Sequence, residues 1–190
     1  MFATGGSRIL AESAVARGGI MSYASYAKMA TLTMGALIGM SVAVSLSSAQ
    51  GVVMQRNLSL PMAKTIAEAT LAECKSKGFN TAAAVVDRAG QVLVILRDEQ
   101  ATAQIAEMAR RKAYTARMFR TSTMEFQKRT AGDSLTAAQR DLPDILALSG
   151  GVPIQVGNDT IGAVGSAGST LETDDACAKA GIAKVADLLK

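Results

Sequence analysis

The stretch Ser149–Gly168, SGGVPIQVGNDTIGAVGSAG, constrains what this chain can fold into more than any other. Six of the seventeen glycines fall in these twenty residues, and the apolar residues form two short runs, Val152–Val156 and Ile161–Val164. Gly157-Asn158-Asp159 divides them, so the pattern reads as a β-hairpin. The surrounding glycines mark places where the backbone takes a positive φ or where another group approaches closely. Such a segment is either a ligand-cradling loop or a tightly packed hairpin. The rest of the chain has to decide.

Ahead of it lies a helix followed by another hairpin. Leu58-Ser59-Leu60-Pro61 opens the helix, with Ser59 as N-cap and Pro61 in the first turn, where its missing N–H costs nothing. Ile66, Ala69, Leu71 and Ala72 recur at helical spacing, and Lys75-Ser76-Lys77-Gly78 supplies a basic last turn with a glycine stop. Thr81–Val86 reads as a buried strand, Asp87-Arg88-Ala89-Gly90 as a turn and Gln91–Leu96 as the returning strand.

A second helix is expected over Thr102–Arg120, with Ile105, Met108, Ala109, Lys112 and Ala116 along one stripe. Arg110, Arg111, Lys112, Arg117 and Arg120 place five positive charges in eleven positions of it. They could face an anionic ligand such as a carboxylate or a porphyrin propionate, or form a solvated face whose late charges suit the helix dipole. Residues 121–144 read as irregular or as short helices, one capped by Thr123 through Lys128 and another over Ser134–Gln139. A last helix is expected from about Thr173 to Leu189, with Thr173 as N-cap and Asp174 and Asp175 in its first turn. Helix, hairpin, helix, irregular segment, hairpin, helix is the order of an α+β sandwich with an antiparallel sheet, not of a doubly wound parallel fold.

The chain has no histidine, which removes His-based triads, the common zinc sites and His-ligated haem. Its net charge of +4 does not imply nucleic acid. Arg8, Arg17 and Lys28 against Glu12 carry half of that excess, which leaves the remainder nearly balanced. Gly162–Gly168 lacks the order of a dinucleotide loop, and the acidic start of the following helix opposes phosphate there. No metal site is expected. Adjacent carboxylates such as Asp98-Glu99 read as turn or cap residues.

Met29–Leu46 is eighteen residues without a charge, preceded by Lys28 and ending in Ser47-Ser48-Ala49. Residues 1–49 therefore read as an N-terminal extension with a signal peptide cut after Ala49, and the protein as exported, periplasmic or extracellular. The alternative is a retained membrane anchor, since the run approaches the length of a span. Residues 50–57 are a linker, and 58–190 the folded domain. Export permits a disulfide between Cys74 and Cys177, the only two cysteines, if their helices pack side by side. The reading preferred from sequence is two buried, unpaired thiols, because nothing in it reports their separation.

Four segments in order carry a family resemblance: AAAVVDRAGQVLVILRDE (82–99), RRKAYTARMF (110–119), LSGGVPIQVGNDTIGAVGSAG (148–168) and DDACAKAGI (174–182). From about Leu58 onward the chain resembles the GlcG/HbpS family, which includes extracellular haem-binding proteins and the C-terminal domain of PduO-type corrinoid adenosyltransferases. The resemblance implies a profilin-like domain, a central antiparallel sheet flanked by helices, and homo-oligomers. It also implies haem as the leading ligand. With no axial histidine, Tyr114 is the natural oxygen ligand of the matching segment and Thr115 a weaker one, with Lys112 or Arg111 for the propionates. Gly150 and Gly151 would rim the pocket opposite. Tyr114 has the alternative role of packing the helix against the sheet. Iron-binding acidic pairs of some relatives find no match, because Glu68 and Glu73 are five apart and off one face.

Three functions are therefore weighed. The first is an exported homo-oligomer binding a small molecule, haem or a relative, for binding, sensing or as a degradation accessory. The second is an enzyme on a small carbonyl or hydroxy-acid metabolite, with Asp87, Lys112 or Tyr114 as acid/base groups. The third is an envelope assembly module without a ligand.

Overall fold

The computed structural model describes residues 51–190; the signal segment and the cut after Ala49 lie outside the described residues. Helix α1 (Leu60–Ser76) starts where Ser59 Oγ accepts the Met62 N–H and ends at Gly78, whose φ of 84° closes a left-handed cap. There the Phe79 N–H donates to Cys74 O and the Gly78 N–H to Lys75 O, satisfying two terminal carbonyls. Strands β1 (Ala82–Val86) and β2 (Val92–Arg97) follow, then α2 (Ala103–Phe119) and α3 (Thr123–Arg129). After a 3-10 turn at Ala137–Asp141 come β3 (Gly151–Val156), β4 (Asp159–Ala167), α4 (Leu171–Ala183) and a final 3-10 turn, Ala186–Leu188.

The four strands form one antiparallel sheet in the order β2-β1-β4-β3. β1 is central and wholly buried, as its run AAAVV requires. Its alternate residues feed two cores. Ala83 and Val85 join Ile66 and Ala67 of α1, Val152, Ile154 and Val164 of the sheet and Ala178 of α4. Ala82, Ala84 and Val86 join Ala109, Ala113 and Ala116 of α2. So α1 and α4 cover one face and α2 the other, an α+β sandwich with helices on both sides of the sheet.

The second core is made almost entirely of alanine, and this explains the glycine-rich hairpin. A Cβ on Gly165 would overlap the Ala109 carbonyl, and one on Gly151 the Lys112 carbonyl. Glycine at both positions lets the backbone of α2 lie directly on β3 and β4. The hairpin is packed, not a loop that cradles a ligand.

Three local expectations change. The N-cap of α4 is Thr170, whose Oγ1 accepts the Thr173 N–H at 3.2 Å, so Thr173 is the donor and not the cap. The regular helix also stops at Ala183, short of Leu189. Ser122, not Thr123, caps α3; the buried Thr123 hydroxyl instead accepts the Gly151 N–H at 2.8 Å and ties α3 to β3.

Cys74 and Cys177 form a disulfide, which corrects the expectation of two free thiols. The pattern could not show that α1 and α4 lie side by side on one sheet face, which brings the two Cα atoms to 5.6 Å. The bridge spans 103 residues of sequence, a loop whose closure restricts the unfolded chain strongly.

Candidate functional site

Helix α2 carries most of the residues singled out by sequence, and its five basic side chains separate into different environments. Arg110 pairs with Glu107 and Asp144 at the surface. Arg111 Nη2 donates to Ile145 O at 2.6 Å, while its Nε is buried without a partner. Thr115 is fully buried and spends its hydroxyl on the backbone, accepting the Leu146 N–H and donating to Arg111 O, both at 2.8 Å. Arg111 and Thr115 together therefore anchor the segment that leads into β3.

Lys112 points into the sheet. It is 1% exposed, and its Nζ donates to Asp174 Oδ2 at 2.7 Å and to Ser166 O at 2.9 Å. The other Asp174 oxygen accepts Ser169 Oγ–H at 2.6 Å and the Ser169 N–H. Burial pushes the Lys112 ammonium below its ordinary value, against the pull of Asp174. Gly150, with φ of 119°, passes directly over this pair: a Cβ there would stand 2.8 Å from Asp174 Cβ and 3.0 Å from Lys112 Nζ. Lys112, Gly150 and Gly151 are thus brought together, but as a closed knot with no cation left over for a propionate. Asp174 of the last helix turns inward here instead of decorating a solvated first turn, while Glu172 stays exposed.

Tyr114 lies elsewhere. Half-buried on another side of α2, it packs with Met118 over the β1–β2 turn, 3.1 Å from where a Gly90 Cβ would sit. That is a helix-packing role, though against the turn and not the sheet face weighed for it, and Tyr114 does not face Gly150 or Gly151. Asp87 is also committed, its Oδ1 accepting the Ala89 and Gln91 N–H groups at 2.8 and 2.9 Å. Of the acid/base groups considered for an enzyme, two are therefore tied to internal structure.

What sequence reasoning missed is a cleft beside Ser149. It encloses about 470 Å³ between α3, Ala131, the start of β3 and the start of α4, with Met124, Ala131 and Leu171 as apolar wall. Gln127, Lys128 and Glu172 stand on its lining too. Ser149, 3% exposed, also lines it, and its hydroxyl is buried without a hydrogen-bond partner. Such an orphan is costly unless a bound group satisfies it. Nothing in the pattern flagged Met124, which sits in a segment read only as a short helix within an irregular stretch. Among the described residues no cluster of His, Cys, Asp or Glu converges on a metal position, and no helix is long and apolar enough to cross a membrane.

This architecture recurs among known proteins. Residues 58–183 match the family model described as haem degrading protein HbpS-like. An uncharacterized 15.0 kDa protein of Citrobacter freundii, from the dhaT-dhaS intergenic region, is 32% identical over 123 residues, covering 62% of this chain and 84% of that protein. HbpS of Streptomyces reticuli, solved in a doubly substituted form, is 33% identical with a TM-score of 0.68, over 73% of this chain and 94% of that one. A PduOC–haem complex shares the fold at 23% identity and a TM-score of 0.61, over 66% of this chain and 93% of that one. The sandwich, its element order and the match across the whole folded region have one consequence: the chain belongs to the HbpS-like family.

Proposed function

We propose that this protein is an exported, homo-oligomeric binder of haem or a closely related macrocycle, and that the cleft beside Ser149 receives it. The carrying observation is the cleft itself: apolar walls, a buried hydroxyl without a partner and a cation, Lys128, on the lining. An apolar macrocycle suits Met124, Ala131 and Leu171, and carboxylate substituents suit Lys128, which is held by Glu125 at 2.9 Å when nothing else competes. Haem when bound would supply an iron centre, and the thioether of Met124 is the soft donor on this lining. Family membership and the haem complex of PduOC support the ligand class. Export is supported by the leader pattern and by the Cys74–Cys177 bridge, which suits an oxidising compartment. Assembly rests on the resemblance and on the edge strand β2, which leaves Val92 and Ile95 more than 40% exposed.

Haemin added to the purified protein is expected to give a Soret band that Met124→Leu weakens and Tyr114→Phe leaves in place. The reverse result moves the site to the β1–β2 turn. No spectral change at micromolar haemin ends the haem reading. Lys112 is expected to contribute only through folding, since it has no route to the cleft's solvent.

A further inference from the structure

Where the last turn of α2 meets the β1–β2 turn lies a second cleft, of about 520 Å³ and polar, lined by Arg88, Arg117, Ala89, Asn57, Gln55 and Val53. Its two arginines differ in state. Arg88 is spent on Asp159, to which it donates two bonds at 2.8 and 2.9 Å, and on the Arg56 carbonyl. Arg117 has no ion-pair partner among the described residues, and its Nε is buried without a hydrogen bond. Asn57 turns its Oδ1 toward the Leu58 and Arg88 N–H groups, so its amide nitrogen is the end left to donate.

The surrounding field is positive. Arg88 and Arg120 act on Arg117, and Arg88, Arg56 and Arg117 act on Asp159, while Asp159 and Asp87 are the carboxylates that answer. Four guanidiniums thus stand around two carboxylates. Burial first, then the charges of Arg88 and Arg120, pushes the Arg117 guanidinium below its ordinary value, although a guanidinium stays charged in proteins at any working pH. The helix dipole explains a basic residue in the last turn of α2. It does not explain one half-buried beside other arginines with an unsatisfied Nε, because a solvated position two residues away would serve the dipole as well. Convergent like charge at the wall of a cleft is instead the arrangement that focuses field on an arriving anion.

We propose that this cleft is a binding site for a small molecule bearing a compact oxyanion, a carboxylate or a phosphoryl group. Arg117 supplies the forked donor pair, Asn57 a neutral donor, and the Arg88–Asp159 pair a fixed wall. None of these residues lines the Met124–Ser149 cleft, so the proposal stands or falls separately from the haem reading.

The test is calorimetric titration of the full chain at low salt with inorganic phosphate and with malonate, and with sodium chloride at matched ionic strength as control. At least one oxyanion is expected to bind, Arg117→Gln to weaken it tenfold or more, and Arg117→Lys, which keeps the charge but loses the fork, to fall between. The anion-free Arg117→Gln protein is expected to melt no lower than the parent, so that lost binding is not lost folding. Tighter phosphate than malonate identifies a phosphoryl ligand, and the reverse a carboxylate. The proposal is overturned if neither oxyanion binds, if chloride gives the same signal, or if Arg117→Gln binds as well as the parent.

Discussion

Lys112 and Arg117 sit five residues apart on one helix, and their surroundings are opposite. Lys112 is dehydrated, paired with Asp174 and roofed by Gly150. Arg117 is half-buried, faces an open cleft and has no paired carboxylate among the described residues. A cation whose counter-charge is inside the fold is part of the framework. One that stands beside further cations with no carboxylate bonded to it is held for something that arrives. The contrast matters because both belong to one basic stretch, which composition alone would assign a single role.

The largest expected effect breaks the closed side. Asp174→Asn leaves the Lys112 ammonium buried without its charge partner and should destabilise the domain by about 3–5 kcal/mol in urea unfolding. Replacing both partners, Lys112→Met with Asp174→Leu, should recover most of that loss, since desolvating the pair is itself costly. A double variant no better than Asp174→Asn would mean that the bonds to Ser166 and Ser169 matter more than the charge pairing.

Reducing the disulfide tests how far this framework extends. Cys74 Sγ lies 3.6 Å from Ser166 Oγ, and the Ser166 carbonyl holds Lys112. Cys74→Ser with Cys177→Ser should lose about 2–4 kcal/mol of stability. Anion binding at Arg117 should survive wherever the domain is still folded, because the bridge joins α1 to α4 on the opposite sheet face. Gly165→Ala is expected to cost less, about 1–3 kcal/mol, by pushing α2 off β4. Thermal melting compared with a surface Gly132→Ala control measures it; Gly132 has free space around it but a positive φ, so some backbone strain is expected there too.

Much of this fold is legible in the sequence, and for local reasons. Ser59, Pro61 and Gly78 mark their helix ends by capping chemistry that needs no tertiary context. The hairpins follow from short apolar runs bounded by turn residues. Thr173 misleads because a threonine three residues earlier offers the same hydroxyl, and which one caps depends on where the chain leaves β4. The site is less legible. Lys112 falls on the apolar stripe of α2, a sign that it is buried, yet its partner Asp174 lies 62 residues away on a helix whose position only packing decides. Arg88 belongs to a turn read for its geometry, and its meeting with Arg117 is likewise a product of packing. Ser149 and Met124 carry no signal at all until their neighbours are placed.

The smallest effect sharpens the open side. The hydrogen bonds from Arg88 hold the Asp159 carboxyl below its ordinary value of 3.8, so its stabilising contribution is complete above that pH and fades as the pH falls through the lowered value. Both side chains are partly exposed, at 25% for Arg88 and 39% for Asp159, so this loss should be slight and should vanish in Asp159→Asn. The same substitution removes one of the two carboxylates facing the arginines and frees the fork of Arg88. Phosphate titrated at neutral pH should therefore bind Asp159→Asn several-fold more tightly than the parent, while the melting temperature moves little. Weaker binding in that variant would mean that Asp159 positions Arg88 for the anion, so that a residue counted as wall is a working part of the site.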